Sequence, residues 1–368
     1  MSRDYDDIVY KIALHLIPGI GAVSARTLIS YLGGAREVFK SKKSAILKVP
    51  GIAEQRYREL KDPDILQKAA DYYQKVQSCA VELISYLDSG YPRNLNFHAG
   101  MPLFLHHRGR LPLNQERMVA VVGTRKPSKY GQLICEQIVS QLRDYKVTIL
   151  SGLAYGIDAV AHQTAIKLNM PTIAVLGSGL DRIYPSVHKS MAGRIEKNGA
   201  LISEFPLGTG PDRENFPRRN RVIAAMADIV IVIESGLKGG SMITADYANE
   251  FSKDVFAVPG RLGDPMSEGC NQLIKTHRAH LLSHARDIAY IARWEMQSRQ
   301  QKLAFTEDLN EQEMRILKLV ESCQPVAIDL LILKSGYDLS GLSSILLNLE
   351  FKSLIKCLPG KKYILALK

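Results

Sequence analysis

Cysteine is scarce in this sequence of 368 residues, and long apolar runs are missing. The five cysteines are odd in number and far apart, with neither a CxxC spacing nor a Cys/His cluster, which excludes a zinc site and a disulfide framework. No stretch approaches the roughly eighteen apolar residues of a membrane span, so none is expected. The opening MSRDYDDIVYK is acidic and lacks the apolar core of a signal peptide. These features predict a cytoplasmic protein with reduced thiols.

The common nucleotide-binding motifs are also absent. No GxxxxGK[ST] occurs, which excludes a Walker A site, and no true GxGxxG follows the first predicted strand, which argues against a dinucleotide. His162 has no serine or cysteine nucleophile motif beside it, while Asp158 and Asp181 stand at glycine turns, where acids commonly cap helices. A catalytic pair of acids is the alternative. We therefore expect no metal, no cofactor and no enzymatic activity.

Charge is distributed unevenly along the chain, whose net charge is +11. Residues 1–110 carry 16 basic against 11 acidic side chains, and residues 111–305 carry 24 against 18. Residues 306–368 carry eight of each. An excess of this size favours a polyanionic partner, although surface charge kept for solubility is an alternative. Any anion-binding site is predicted within the first two segments.

The N-terminal segment, residues 1–84, is predicted to be a small helical domain of the helix-hairpin-helix type. Its apolar-periodic helices are separated by glycine turns at 18–21 and 50–51. The backbone N–H groups of such turns either hold a phosphate oxygen or serve plain helix packing. Residues 91–109, rich in proline and glycine, are interpreted as a bridge into the next domain.

A change of pattern predicts an α/β domain over residues 85–294. Short apolar runs alternate there with amphipathic helical segments; the runs are MVAVV, VTILS, TIAVLG, ALISE, DIVIVIES and DVFAV. Unbroken apolar strands separated by helices indicate a parallel sheet buried on both faces. The prediction is an extended Rossmann-like, doubly wound sheet, in which ligands bind beyond the carboxyl ends of the strands.

The last part of the chain is predicted to hold a polar linker, residues 295–305, and a winged-helix-like domain, residues 306–368. Three helical stretches there precede a hairpin that turns at 359–360. Winged helices commonly bind duplex DNA, but this domain has no net charge and its would-be recognition helix offers only Lys352 as a cation. We interpret the domain as a protein-contact module, with DNA binding as the alternative.

Four predicted strands run directly into glycine-rich turns, GTRKPSKYG, GLAYGID, GSGLDRIYP and GLKGGSMIT. Glycine lets the backbone approach a ligand, and each turn delivers a helix N-terminus whose free N–H groups favour an anion. All four turns should open at one edge of the sheet and form a phosphate-binding rim. Arg125, three residues after the first strand, adds a cation to it. From these turns, Gly123, Gly156, Gly177 and Gly179 are predicted to lie at the phosphate-binding rim.

Three arginines are predicted on the first turn of one helix in NFPRRNRVIAAM: Arg218, Arg219 and Arg221. Three cations at a helix N-terminus oppose the helix dipole unless an anion lies among them. Guanidinium groups also match phosphates through two parallel hydrogen bonds. The alternative is that one of the last two pairs with an acid of the same chain, Glu204 and Asp228 being candidates.

The blocks VGTRKPSKYG, SGLAYGIDAVAH, VLGSGLDRIYP, GALISEFPLGT, NFPRRNRVIAAMAD, IVIESGLKGGSMITADYA and VFAVPG…GCNQLI resemble the DNA-processing protein A (DprA/Smf) family. Their order and spacing match almost unbroken from about residue 85 to 290. The resemblance implies an extended Rossmann fold that binds single-stranded DNA without catalysis. It also implies loading of the RecA recombinase in natural transformation or recombination, and a homodimer formed through the Rossmann domain. A single-strand-binding protein is a further expected partner.

The resemblance also implies DNA-contacting positions. Those carried over residue by residue are Arg125, Ser151, Gly152, Arg219, Asn220, Arg221, Gly239, Gly240 and Ser241. Ser186 stands where relatives have a basic residue, with Lys189 just beyond it, and Leu153 stands where relatives often have glycine. Bases are expected to stack on aromatic side chains beside the loops, or these side chains pack internally. The candidates are Tyr130, Tyr155, Tyr184 and Phe216.

A nucleotide hydrolase is the alternative function. GGSMITADY is similar to the PGGxGTxxE block of the lysine-decarboxylase-like phosphoribohydrolases, which share the Rossmann frame. The glutamate expected three residues after the threonine is missing, because Tyr247 stands there. Single-stranded DNA binding is therefore the favoured prediction.

Overall fold

The structure, a computed structural model, describes residues 3–98, 100–294, 309–323, 325–352, 354–358 and 360–365. Its contacts divide the chain into two units, residues 1–297 and 298–368. The predicted linker at 295–305 lies outside the described residues.

Six helices form the N-terminal part of the first unit: α1 (Arg3–Leu16), α2 (Ala22–Leu32), α3 (Ala35–Lys40), α4 (Lys43–Ile46), α5 (Glu54–Leu60) and α6 (Ile65–Ser78). Their buried apolar side chains share one core, which includes Ile12, Leu28 and Leu60. The first glycine turn is covered by Arg56, which packs against Gly19 and donates to the Pro18 carbonyl over 2.7 Å. An internal cation on this turn favours the packing interpretation over phosphate binding.

A nine-stranded sheet runs through the rest of the first unit. Its strands are β1 (Glu82–Ser85), β2 (Phe104–Gly109), β3 (Met118–Gly123), β4 (Thr148–Ser151), β5 (Thr172–Val175), β6 (Ala200–Ser203), β7 (Ile229–Ile233), β8 (Asp254–Ala257) and β9 (His280–Leu281). The strand order is β1-β2-β6-β5-β4-β3-β7-β8-β9. All pairs from β6 to β9 are parallel, whereas β1 and β2 are antiparallel additions. The six predicted strands are thereby confirmed.

Helices cover both faces of this sheet: α7 (Arg93–Asn96), α8 (Lys129–Leu142), α9 (Ile157–Lys167), α10 (Lys189–Asn198), α11 (Asn215–Met226), α12 (Gly240–Glu250), α13 (Glu268–Lys275) and α14 (Ala285–Ala292). Alternate residues of β3 enter different cores, with Val119 and Val121 in one and Ala120 and Val122 in the other. A strand that is apolar on both faces requires helices on both sides. The doubly wound, Rossmann-like prediction is confirmed.

The stretch interpreted as a bridge, residues 91–109, belongs to the sheet instead. It supplies α7 and the six residues of β2, whose backbone pairs with both β1 and β6. Strand β1 spans Glu82–Ser85 and so lies across the predicted boundary between residues 84 and 85. The bridge interpretation is therefore wrong. The buried polar residues His106 and His107 interrupt the apolar pattern by which a buried strand is predicted.

The second unit contains three helices and a small sheet: α15 (Glu311–Cys323), β10 (Val326–Ala327), α16 (Ile328–Ser335), α17 (Leu339–Phe351), β11 (Ile355–Leu358) and β12 (Lys362–Leu365). The strand order is β10-β12-β11. The winged-helix prediction is confirmed, with β10 as an additional strand. Lys352 contacts Glu313 over 2.8 Å, so the cation of the would-be recognition helix has an internal counterion.

Among the described residues, no single helix is long and apolar enough to cross a membrane. Helices α16 and α17 pass that test only in combination, as a pair bent by 111°.

Candidate nucleic-acid interface

The four glycine turns follow β3, β4, β5 and β7, which are parallel neighbours in the sheet. Their carboxyl ends therefore lie at one edge, as predicted. A cleft of about 230 Å³ opens there, between the turns after β3 and β7 and the helices α11 and α12. We call it the central cleft. Two further hollows adjoin it: the small aromatic pocket, beside Tyr184 and Phe216, and the wider outer groove, beside Lys126 and Tyr155.

Ten of the fifteen predicted site residues line these hollows. The central cleft contains Gly123, Arg125, Arg219, Asn220, Gly239, Gly240 and Ser241. Gly152 and Gly177 line the aromatic pocket, and Gly156 lines the outer groove. The other five, all within the described ranges, line none of the three: Ser151, Gly179, Lys189, Arg218 and Arg221.

Arg125 is common to all three hollows. Its guanidinium lies 5.1 Å from the centre of the Phe216 ring, a cation–π distance. Throughout the described residues, no acid forms an ion pair with it. A cation that is stacked on a ring and lacks an internal counterion can bind a phosphate without first breaking another ion pair.

Glu234, at the end of β7, fixes the loop that carries Arg125. Its backbone carbonyl accepts from the Thr124 N–H over 2.7 Å, and its buried carboxylate accepts from the Ser128 N–H over 2.8 Å and from the Ser128 hydroxyl. Ser128 in turn caps α8 by accepting from the Gly131 N–H over 3.0 Å. Sequence reasoning missed Glu234. The feature that could have indicated it is an acid placed directly between an apolar strand and a glycine-rich turn.

Helix α12 presents its N-terminus to the central cleft. Gly239 is its N-cap and supplies no side chain, so the first N–H groups have no side-chain cap. The Ser241 hydroxyl donates to the Ser235 hydroxyl over 2.8 Å, and the Asn220 amide donates to the Gly240 carbonyl over 3.2 Å. The Gly239 N–H donates to the Gly236 carbonyl over 2.9 Å and the Met242 N–H to the Gly239 carbonyl over 3.0 Å, so the first donors of this terminus that remain for a ligand are those of Gly240 and Ser241. Such a terminus favours an anion.

Arg219 lies in the wall between the central cleft and the aromatic pocket. Its side chain is buried, with 4% of the residue exposed. The guanidinium donates to the Gly152 carbonyl and, over 2.8 Å, to the Val175 carbonyl. The buried Asp158 carboxylate, which accepts from the N–H groups of Gly152 and Ala154, lies in its field. Burial raises the pKa of Asp158, and the Arg219 charge opposes that shift.

The placement of three arginines on one first turn is wrong. Helix α11 begins at Asn215, because Pro217 fits within a first turn, where no intrahelical N–H donor is needed. Arg219 and Arg221 therefore lie beyond that turn, and Arg221 points away from the central cleft together with Arg218.

The Arg221 guanidinium lies 3.2 Å from the Glu204 carboxylate, and Arg218 lies 3.7 Å from it. Arg221 also donates to the Gly100 carbonyl over 2.5 Å. Glu204 is buried, which raises its pKa, while the two guanidiniums lower it. Pairing of Arg221 with Glu204 is one of the alternatives that the sequence left open, and the structure shows this pair. Asp228, the other candidate acid, instead accepts from the Met118 N–H over 2.8 Å.

The remaining predicted residues have other surroundings. Ser151 is buried and donates its hydroxyl to the Val121 carbonyl over 2.7 Å. The Gly179 N–H donates to the Thr209 carbonyl over 3.1 Å. Lys189 is exposed at the first position of α10. Contact between these three residues and DNA stays a prediction.

Of the four aromatic candidates, three border the hollows. Tyr184 lies 5.9 Å from Phe216 between ring centres, and Tyr155 is 45% exposed between the aromatic pocket and the outer groove. Tyr130 is exposed outside all three. Sequence reasoning also missed Met266, which lines the central cleft from a segment with no distinguishing pattern.

Of the residues considered for catalysis, Asp158 lines the central cleft, whereas His162 and Tyr247 do not. His162 is buried and its Nδ1 lies 2.8 Å from the Thr172 hydroxyl. Tyr247, which replaces the hydrolase glutamate, packs on the core and stacks with Phe251 at 6.1 Å. No group of three or more potential metal ligands occurs in the part of the chain that the structure describes.

Comparison with protein families gives two matches. The family described as DNA recombination-mediator protein A matches residues 82–293, and the DprA winged helix domain matches residues 301–361. Protein Smf of Synechocystis sp. is 30% identical, over 96% of this chain and 98% of its own length.

Two solved structures are similar to this fold. The X-ray structure of DNA processing protein A from Streptococcus pneumoniae has a TM-score of 0.63 at 30% identity, covering 79% of this chain and 98% of that chain. DNA processing protein A from Helicobacter pylori, described by its single-stranded DNA binding mode, has a TM-score of 0.53 at 28% identity. That match covers 58% of this chain and 98% of that chain.

Proposed function

The chain belongs to the DNA recombination-mediator protein A (DprA/Smf) family, and on that basis we propose that it binds single-stranded DNA in the central cleft and loads the RecA recombinase onto it. The observation that carries the proposal is Arg125: a cation without an internal counterion, stacked on Phe216, at an edge lined by glycine turns. One phosphate and one base of a single strand match this combination of charge, backbone donors and ring.

The proposed contacts differ in kind across the three hollows. Arg125 and the N-terminus of α12 hold a phosphate in the central cleft, with Gly240 giving the backbone room to approach. A base stacks on Phe216 or Tyr184 in the aromatic pocket. The strand continues along the outer groove past Lys126. None of these contacts reads a base edge, so little sequence preference follows.

We further propose that the protein is not an enzyme and acts in the cytoplasm, in natural transformation or recombination. Homodimerisation through the Rossmann-like domain is supported by two exposed apolar side chains: Leu281 on the edge strand β9 is 50% exposed, and Tyr290 on α14 is 83% exposed. A single-strand-binding protein is the further proposed partner, because it coats the same strand.

The winged helix is proposed to contact protein rather than DNA. Two observations support this: Glu313 neutralises Lys352, and large apolar side chains are exposed. Leu333 on α16 and Phe351 on α17 are each 80% exposed. Isolated apolar residues are common on surfaces, but two exposed side chains of this size suit a protein partner better than a DNA backbone.

Fluorescence anisotropy tests the DNA-binding proposal. Labelled oligo-dT and the matching duplex are titrated with the protein across a salt series. We expect tighter binding to the single strand than to the duplex. Added salt should weaken this binding, because binding releases counterions from the DNA. Equal affinity for the duplex, or no binding at low salt, would overturn the proposal.

Recombinase loading needs a separate assay. RecA filament formation is followed on oligo-dT coated with single-strand-binding protein, with and without this protein. The double variant Leu333→Glu, Phe351→Glu is compared with the parent chain. Stimulation of filament formation by the parent but not by the variant, at equal oligo-dT affinity, is expected. Absence of stimulation by the parent would refute loading without affecting the DNA-binding proposal.

A further inference from the structure

Arg219 connects three elements of the α/β domain through one guanidinium. From α11 it donates to the carbonyl of Gly152, which follows β4, and to the carbonyl of Val175, the last residue of β5. Its Nε donates to the side-chain oxygen of Asn220 over 2.9 Å. With three of its donors engaged and 4% of its surface exposed, Arg219 has little capacity left for a phosphate.

Gly152 fits closely under this guanidinium. A Cβ built on Gly152 would lie 2.2 Å from Nη1 and 2.4 Å from Cζ of Arg219. No side chain fits in that space, so even alanine at 152 must displace the arginine or the loop. The glycine is therefore needed for the packing of Arg219, in addition to any approach of a ligand.

Asp158, which is buried on α9, lies in the electrostatic field of Arg219 and binds the same loop. Asp158 accepts from the Gly152 N–H over 3.1 Å and from the Ala154 N–H over 3.3 Å. The loop after β4 is thus held from both sides, its N–H groups by the acid and its carbonyl by the arginine. A buried charge pair with these hydrogen bonds fixes one geometry, and removing one partner leaves the other uncompensated.

We propose that Arg219 is a positioning residue: together with Asp158 it fixes the loops after β4 and β5 so that the aromatic pocket and Arg125 meet the strand, and it makes no phosphate contact itself. The proposal rests on the proposed single-stranded DNA binding. It replaces the sequence expectation that Arg219 is one of the phosphate ligands, and it assigns that role among the two arginines of the central cleft to Arg125.

Salt dependence separates a positioning role from a phosphate contact. Each phosphate contact to a single strand contributes about 0.7 to the slope of log affinity against log salt. Arg219→Met is expected to weaken oligo-dT binding at least about tenfold with the slope unchanged. Arg125→Met, the matched control, is expected to lower the slope by about 0.7. A slope lowered equally by Arg219→Met would overturn the proposal.

Gly152→Ala provides a second variant that leaves every charge in place. It is expected to reproduce the Arg219→Met result, weaker binding at unchanged slope, because the added methyl displaces the guanidinium. Affinity within about twofold of the parent would count against the proposal. The double variant Asp158→Asn, Arg219→Met removes both buried charges together, so neither is left uncompensated. It replaces Arg219→Met in the salt series if the single variant does not fold.

Hydrogen exchange gives a readout that does not depend on DNA. In Arg219→Met, amides at 152–156 and 176–178 are expected to lose protection, while those of β3 and β7 keep it. A general loss of stability would instead lower protection everywhere. If the parent chain fails to bind oligo-dT, the proposed function fails, yet this exchange pattern still decides the positioning role: unchanged loop protection overturns it, and selective loss supports it.

Discussion

The guanidinium of Arg125 and the ring of Phe216 lie 5.1 Å apart, and the two residues come from different elements of the sheet domain. Arg125 is carried by the loop after β3, and Phe216 is the second residue of α11. A planar cation over a ring places hydrogen-bond donors for a phosphate directly beside a surface on which a base can stack. In the proposed function, the pair would bring the two chemical parts of a nucleotide to adjacent sites.

Arg125→Ala should weaken oligo-dT binding by about 10- to 100-fold, the effect of losing one charge-assisted hydrogen bond. The salt slope should also fall by about 0.7. Arg143→Ala is the control, because Arg143 is exposed before β4, at the opposite edge of the sheet. Anisotropy at several salt concentrations measures both quantities. An unchanged affinity for Arg125→Ala would show that the site is misassigned.

Phe216→Ala should weaken oligo-dT binding about tenfold, because base stacking on an aromatic ring contributes about 1–3 kcal/mol. The salt slope should stay constant, since no charge is removed. Phe216→Tyr retains the ring and should bind as the parent does. Phe97→Ala, at a ring that is 80% exposed outside the three hollows, should also have no effect. Equal loss in the tyrosine variant would contradict stacking.

Glu204→Gln should lower the free energy of unfolding by about 2 kcal/mol, because Arg221 loses its partner on a buried carboxylate. Glu196→Gln, whose pair with Arg108 is more exposed, should cost less. Urea unfolding followed by the fluorescence of Trp294, the single tryptophan, measures both. Oligo-dT affinity should change less than about twofold. Tighter binding by Glu204→Gln would mean that freed Arg218 and Arg221 reach the strand after all.

Acidification should destabilise the sheet domain through buried histidines. Burial lowers the pKa of His162 to about 3, whereas a histidine in the unfolded chain titrates near 6.5. The unfolded state therefore takes up the proton first, and stability present above about pH 6.5 is lost as the pH falls. Between pH 7 and pH 5 the loss is about 2 kcal/mol for this group. His106, whose pKa burial lowers to about 4, adds to it.

Urea midpoints at pH 7 and pH 5, read from Trp294, test this pH dependence. His162→Asn should reduce the difference between the two pH values. His277→Asn should not, because His277 is exposed in a left-handed conformation that asparagine tolerates. A pH dependence equally large in His162→Asn would locate its origin elsewhere.

The strands that sequence reasoning found are those buried on both faces. Ile229–Ile233 is apolar at every position, a pattern that a parallel sheet produces and an exposed strand does not. Phe104–Gly109 was missed because its interior holds two buried histidines, which satisfy hydrogen bonds that only the folded chain supplies. His280–Leu281, with two residues, is too short for any periodicity.

The glycine turns could be placed from the sequence because parallel topology alone brings them to one edge. The arginines could not, because which face of α11 is buried depends on how that helix packs on the sheet. In the structure Arg219 is buried, while Arg218 and Arg221 lie at Glu204. Nothing in a run of three basic residues indicates which of them meets a carbonyl, an acid or a ligand.

The Arg219 guanidinium is bonded to the Gly152 and Val175 carbonyls, so in the proposed binding mode Arg125 is the cation of the central cleft that is left for a phosphate. In that binding mode each copy of the chain would hold a strand through few charges, so a single copy would dissociate readily. Lasting attachment would require several copies on one strand, each raising the local concentration of the next. The length of the DNA, more than its base sequence, would then set how long the assembly persists, and a short fragment would escape where a long one is retained.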